Sequence, residues 1–113
     1  MKRLFIPLQT RWHTLFQEGK KTWELRGINS QFNKRTVYPG RPVELRRGYQ
    51  YDPLFGTITN VLCVQTLEEI PQDVMDLTVP IEIQGDLDII SFIEGYRKNY
   101  DAAGYILFEV QLK

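Results

Sequence analysis

The hydrophobic pattern changes period several times along this chain. Residues 3–9 gather large apolar side chains into a run that reads as a first strand, and Pro7 inside it, lacking a backbone donor, marks an edge or a bulge. Over residues 11–18, Trp12, Leu15 and Phe16 follow helical spacing, with Thr10 as the N-cap and Gly19 suited to a left-handed stop. A second strand follows at once. Residues 27–40 are polar, rich in asparagine and closed by Pro39 and Gly40, and read as a long loop with one helical turn around 30–34; loops of that length are usually functional. Residues 42–47 and 54–65 read as two strands of a hairpin, joined by a tyrosine-rich turn over 48–53. Residues 66–84 contain Pro71 and Pro80 and are expected to be irregular, with at most a turn of helix. The clearest helix spans residues 86–100, where Ile89, Phe92, Ile93, Tyr96 and Tyr100 share a stripe; Asp86 and Asp88 at its start and Arg97 and Lys98 near its end suit the helix dipole. Gly104 opens a closing strand over 105–112. Strands that outnumber helices without alternating strictly with them point to an α+β or all-β arrangement rather than a doubly wound sheet.

Length and composition narrow the class. A chain of 113 residues suits one domain, which at this size buries roughly two-thirds of its unfolded surface. Hydrophobic content of 42% with 25% charged residues is ordinary for a globular protein and indicates neither disorder nor a membrane span. The apolar run at 4–8 is too short for a signal peptide, so a cytoplasmic protein is expected. Cys63 has no partner cysteine and lies in an apolar run, which reads as a buried structural thiol. The zero net charge hides a segregation, since residues 1–50 carry eleven Lys/Arg against three acids and the remainder three against eleven. Either this builds a positive face that attracts phosphate, or the two halves interleave in space and cancel.

The candidate chemistry lies in Gly19-Lys20-Lys21-Thr22-Trp23-Glu24-Leu25-Arg26, where charges of both signs enter a segment that otherwise reads as a buried strand. Alternation sets Lys21, Trp23 and Leu25 on one face and Thr22, Glu24 and Arg26 on the other, so Glu24 and Arg26 become neighbours able to form a charge-assisted pair. Lys21 has a stem long enough to turn toward either face. With Gly19, Lys21, Glu24 and Arg26 in the positions of its glycine, lysine, glutamate and arginine, the octet resembles the signature of the ASCH domain family, which is related to the PUA fold. Residues 25–29, Lys34-Arg35 and residues 44–49, ending in Gly48-Tyr49, resemble the ASCH subgroup common in bacteria and their phages. The resemblance covers residues 6–64 and about the last ten. It implies a single ASCH domain over residues 1–113, of α+β class: a small PUA-like β-barrel with flanking helices and the signature charges in a cleft between barrel and helix.

Placed in such a cleft, Lys21 and Arg26 would hold phosphate or carbonyl oxygens while Glu24 accepts from a base or sugar donor. Alternatively, the Glu24–Arg26 pair only closes the barrel end, which leaves Lys21 unexplained. Asn29, Lys34, Arg35, Arg46 and Tyr49 join the trio as candidate ligand-binding residues, with Arg47 on the same rim; Lys34 and Arg35 are equally consistent with solvated positions. Tyr49 and Tyr51, in a turn, are better stacking platforms than Trp12 and Trp23, whose apolar faces read as core. The expected ligand is RNA or a modified nucleoside or nucleotide, bound by a monomer. Catalysis rests on the resemblance, because one bacterial ASCH group hydrolyses acetylcytidine with a threonine nucleophile three residues after the signature lysine. Here that position is Glu24, and a carboxylate cannot take the hydroxyl's part without forming a labile anhydride. Lys21 and Glu24 as oxyanion stabiliser and general base would instead give an amidohydrolase of acylated cytidine nucleosides or a ribonuclease. Metal chemistry is not expected, since His13 and Cys63 are the chain's lone histidine and cysteine, and no cofactor or dinucleotide fingerprint is present. The acidic stretch 68–88 leaves open a protein-interaction role.

Overall fold

The computed structural model describes residues 2–48 and 52–113. Its centre is a five-stranded curled sheet, a half-barrel, in the order β1-β3-β4-β5-β2, formed by β1 (Leu4–Leu8), β2 (Trp23–Gly27), β3 (Pro42–Arg47), β4 (Leu54–Val64) and β5 (Tyr105–Leu112). β1 and β3 run parallel and every other neighbouring pair is antiparallel. Around the sheet lie α1 (Thr10–Gln17), α2 (Gln72–Thr78) and α3 (Leu87–Tyr100), making the α+β barrel with flanking helices that the sequence implies.

Strand alternation decides the core. Leu4, Ile6 and Leu8 of β1 turn inward with Val43 and Leu45 of β3, while Phe5 and Pro7 face out. In β5, Ile106, Phe108 and Val110 join one apolar cluster and Tyr105 and Leu107 another, so both faces are covered and Tyr105 through Phe108 show no exposure. Trp12 and Phe16 of α1 fill the larger cluster together with Phe32 and Val37 from the polar loop. The smaller cluster is Trp23, Leu25, Leu67 and Ile70 over Tyr105 and Leu107.

Several local expectations need correction. Thr10 is the first residue of α1 rather than its cap, and Gln9, which stands in the cap position, makes no side-chain hydrogen bond there. Gly19 does adopt the left-handed conformation, at φ 76°, and the Lys20 amide returns to Leu15 O at 3.0 Å, closing the helix. The segment 66–84 holds more than a turn of helix: α2 runs seven residues between short 3-10 turns at Leu67–Glu69 and Ile81–Ile83. Pro71 stands at its N-cap, where the missing N–H costs nothing, so this proline starts a helix instead of breaking one. Cys63 is half-buried, packed against the core without being enclosed by it.

Candidate functional site: the seam of the half-barrel

β1 and β2 are the outermost strands of the sheet and do not pair, so the curl stays open between them. One side chain crosses the gap. Arg26 Nη2 donates to Pro7 O at 2.8 Å. Carbonyl and amide of an extended residue project the same way, so the donor that Pro7 lacks is missing on the seam side, as suits an edge strand. A cleft of ≈ 190 Å³ opens here, walled by Trp12 of α1 and Phe92 and Tyr96 of α3, with Lys21, Glu24 and Arg26 along its base.

The trio is brought together. The Lys21 ammonium donates to Trp23 O at 2.6 Å and Thr78 O at 2.7 Å and lies 3.2 Å from Glu24 Oε1. An ammonium has three N–H groups, and all three are used. The rings of Trp12 and Phe16, with centroids 5.3 and 5.2 Å away, complete a cage that shuts this cation from water. Burial, only partly offset by Glu24, pulls the Lys21 pKa below its ordinary value. Burial alone would raise Glu24, but the Lys21 and Arg26 cations outweigh it and hold the carboxyl below the usual carboxylate range. Glu24 Oε2 accepts from Arg26 Nε at 2.9 Å and lies 2.7 Å from Nη2. The Arg26 guanidinium lies 4.7 Å from the Phe32 ring centroid, fixed between a carboxylate and an aromatic face. Burial, reinforced by the charge of Glu24, pushes the Tyr96 hydroxyl up to about 12, so it stays a neutral donor in the cleft.

The other candidates separate into three groups. Asn29 builds the loop: its Oδ1 accepts from the Gln31 and Phe32 amides at 2.8 Å each, and this turn sets Phe32 beneath Arg26. Lys34 and Arg35 are exposed and do not line the cleft. Arg46 lies on the outer face of β3, paired with Glu44 and over the ring of Phe5. Tyr49, with Tyr51, lies outside the described residues. Trp23 is core, whereas Trp12 is both core and cleft wall. His13 is buried with Nε2 2.8 Å from Asp52 O, and among the described residues no cluster of His, Cys, Asp or Glu could hold a metal. Sequence reasoning missed Phe92, Tyr96 and the carbonyls of Pro7 and Thr78. The stripe on α3 signalled burial, but no spacing says that this helix closes over a strand some seventy residues earlier.

Solved structures share this architecture. The hypothetical protein PH0355 superposes with a TM-score of 0.71 at 19% identity, over 99% of this chain and 100% of its own. Protein PF0455 from Pyrococcus furiosus gives 0.64 at 19% identity, over 98% and 97%. The S128A mutant of ZmASCH from Zymomonas mobilis gives 0.65 at 11% identity, over 95% of this chain and 66% of its own. The fold is ASCH-like. No protein-family model and no curated protein matches the sequence, so the likeness is one of fold. In this ASCH-like chain no helix among the described residues is long and apolar enough to cross a membrane.

Proposed function

We propose that this is an ASCH domain, spanning residues 1–113 and akin to those of bacteria and phages, that binds RNA or a modified nucleotide by taking one base into the seam cleft. One observation carries the reading: a buried carboxylate, held ionised, at the base of an aromatic-walled cleft. A carboxylate has roughly four lone-pair positions; Arg26 engages Oε2 and Lys21 lies on one side of Oε1, which leaves Oε1 of Glu24 an acceptor site for a ligand N–H. Arg26 Nη1 has no hydrogen-bond partner among the described residues and adds a donor beside it. An acceptor and a donor side by side, between flat rings, match the edge and faces of a heterocyclic base. At ≈ 190 Å³ the cleft is smaller than the ~300 Å³ at which whole-ligand pockets begin, so it suits a base with its sugar and phosphate outside.

Binding without turnover fits the electrostatics better than hydrolysis of an acylated cytidine or of RNA. A carboxylate with a lowered pKa is a weak base toward water, and Lys21 has no N–H left for an oxyanion. Thermal stabilisation measured against nucleosides, modified nucleosides and short RNAs tests this. Stabilisation by at least one of them, lost in Arg26→Ala and Glu24→Gln while both variants stay folded, is expected. Turnover of an acylated cytidine or of RNA, abolished by the same variants, would replace binding with catalysis, and silence across the panel would remove the reading.

A further inference from the structure

We infer that the outer face of β1, β3 and β4 is a second contact surface for single-stranded nucleic acid, leading the strand to the cleft. Phe5 and Phe55 are exposed at 38% and 36% and stand in one cross-strand row, on either side of Glu44. Two interstrand spacings put them about 10 Å apart. Each ring has a guanidinium over it: Arg3 lies 4.8 Å from the Phe55 centroid and Arg46 5.5 Å from that of Phe5. Glu44 is the one acid in that row, and Arg46 neutralises it. Lys113, just past β5, donates its amide to Phe55 O at 3.0 Å and so lies beside the row.

Exposed aromatic rings are costly on a sheet unless something covers them, and the charge around these selects the cover. Guanidinium groups held against rings, with the nearby carboxylate already paired, attract phosphate and repel a basic partner. Each ring with its guanidinium forms a flat platform at strand spacing, and an unstacked base can lie on a guanidinium plane as on a ring, which makes the complement a single strand rather than a duplex. The surface is also continuous with the cleft. Pro7 lies two residues beyond Phe5 on the same side of β1, opposite Arg46 in register, and forms the cleft's lip. A strand crossing Phe55 and Phe5 therefore arrives at the seam, where one base can turn in.

This inference rests on the proposed function in its second half only, and one experiment separates the two. Fluorescence anisotropy of a labelled mixed-sequence RNA decamer is followed at 50 mM salt with the wild-type chain, Phe5→Leu/Phe55→Leu, Phe5→Tyr/Phe55→Tyr, Arg3→Ala and Glu24→Gln. Leucine keeps the apolar packing and removes the ring, so a roughly 10- to 100-fold loss of affinity per ring is expected for the leucine pair and retention for the tyrosine pair. Arg3→Ala is expected to weaken binding and to lower the slope of log affinity against log salt by about 0.7. Equal loss in Glu24→Gln supports the route into the cleft, while wild-type binding in Glu24→Gln with loss in the leucine pair would keep the sheet surface and sink the cleft. Unchanged affinity in the leucine pair overturns the inference, as does sedimentation showing a dimer that the leucine pair dissociates.

Discussion

At Lys21, two backbone carbonyls and a carboxylate meet one ammonium inside a cage of rings. One of those carbonyls, Thr78 O, belongs to the end of α2, so the lysine ties a helix terminus, a strand and the cleft carboxylate to a single point. Removing one member of a buried ionic set leaves the rest uncompensated, at about 3–5 kcal/mol. Lys21→Met is accordingly expected to lower the unfolding free energy in urea by about that amount, without a change in m-value. Glu24 adds a pH dependence. Its folded pKa lies below the unfolded value of ~4.3, so between the two the unfolded chain binds more protons. Stability is therefore full above that window and is lost as pH falls through it, and Glu24→Gln should flatten the acid limb of a melting-temperature profile. The Glu24–Arg26 pair was legible because residues two apart in a strand share a face. Thr78 was not legible: it acts through a main-chain oxygen 57 positions away, which no side-chain pattern records.

α3 is a wall pinned at its two ends and little buried between them. Ile89 is the single buried residue among its fourteen, and Leu87 is 82% exposed. Its last turn is anchored where the ring of Tyr100 rests on Gly27, so closely that a Cβ there would lie 2.1 Å from a ring carbon. Its first turn is held to α1 by Arg11, which bonds Asp86 at 2.8 Å and Asp88 at 2.5 Å. Gly27→Ala must displace Tyr100, and a loss of about 1–3 kcal/mol is expected. The double variant Gly27→Ala/Tyr100→Ala should cost less than the sum of its single variants, as a thermodynamic cycle would measure. The helix itself was legible from its 3.6-residue period. Its partner was not, since Phe92 and Tyr96 look alike whether they fill a core or border a cleft. α2 was hidden because Pro71 and Pro80 flank it, and whether a proline starts or breaks a helix depends on a boundary that residue type alone does not give.

Across the molecule, the segregated charge of the sequence survives in part. The basic half supplies β1, β2 and β3, while the acidic half supplies β4, β5, α2 and α3. Pairs such as Arg11 with Asp86 join the two halves without erasing the difference. If Arg3, Arg46 and Lys113 each meet a phosphate, log affinity for an RNA strand should fall against log salt with a slope of about −2, and a flat dependence would contradict a charged docking face. The order of strands and helices pointed to α+β or all-β, and the barrel came only from the resemblance of the 19–26 octet. Its incomplete closure was not legible, because curvature and strand order are set by packing over the whole sheet. Pro7 gives that incompleteness a cause: a main chain without its hydrogen at this place cannot be zipped to a neighbouring ladder. Valine at position 7 would restore the hydrogen and invite the two margins to knit together, and the space now held apart by one guanidinium would then be lost to any guest.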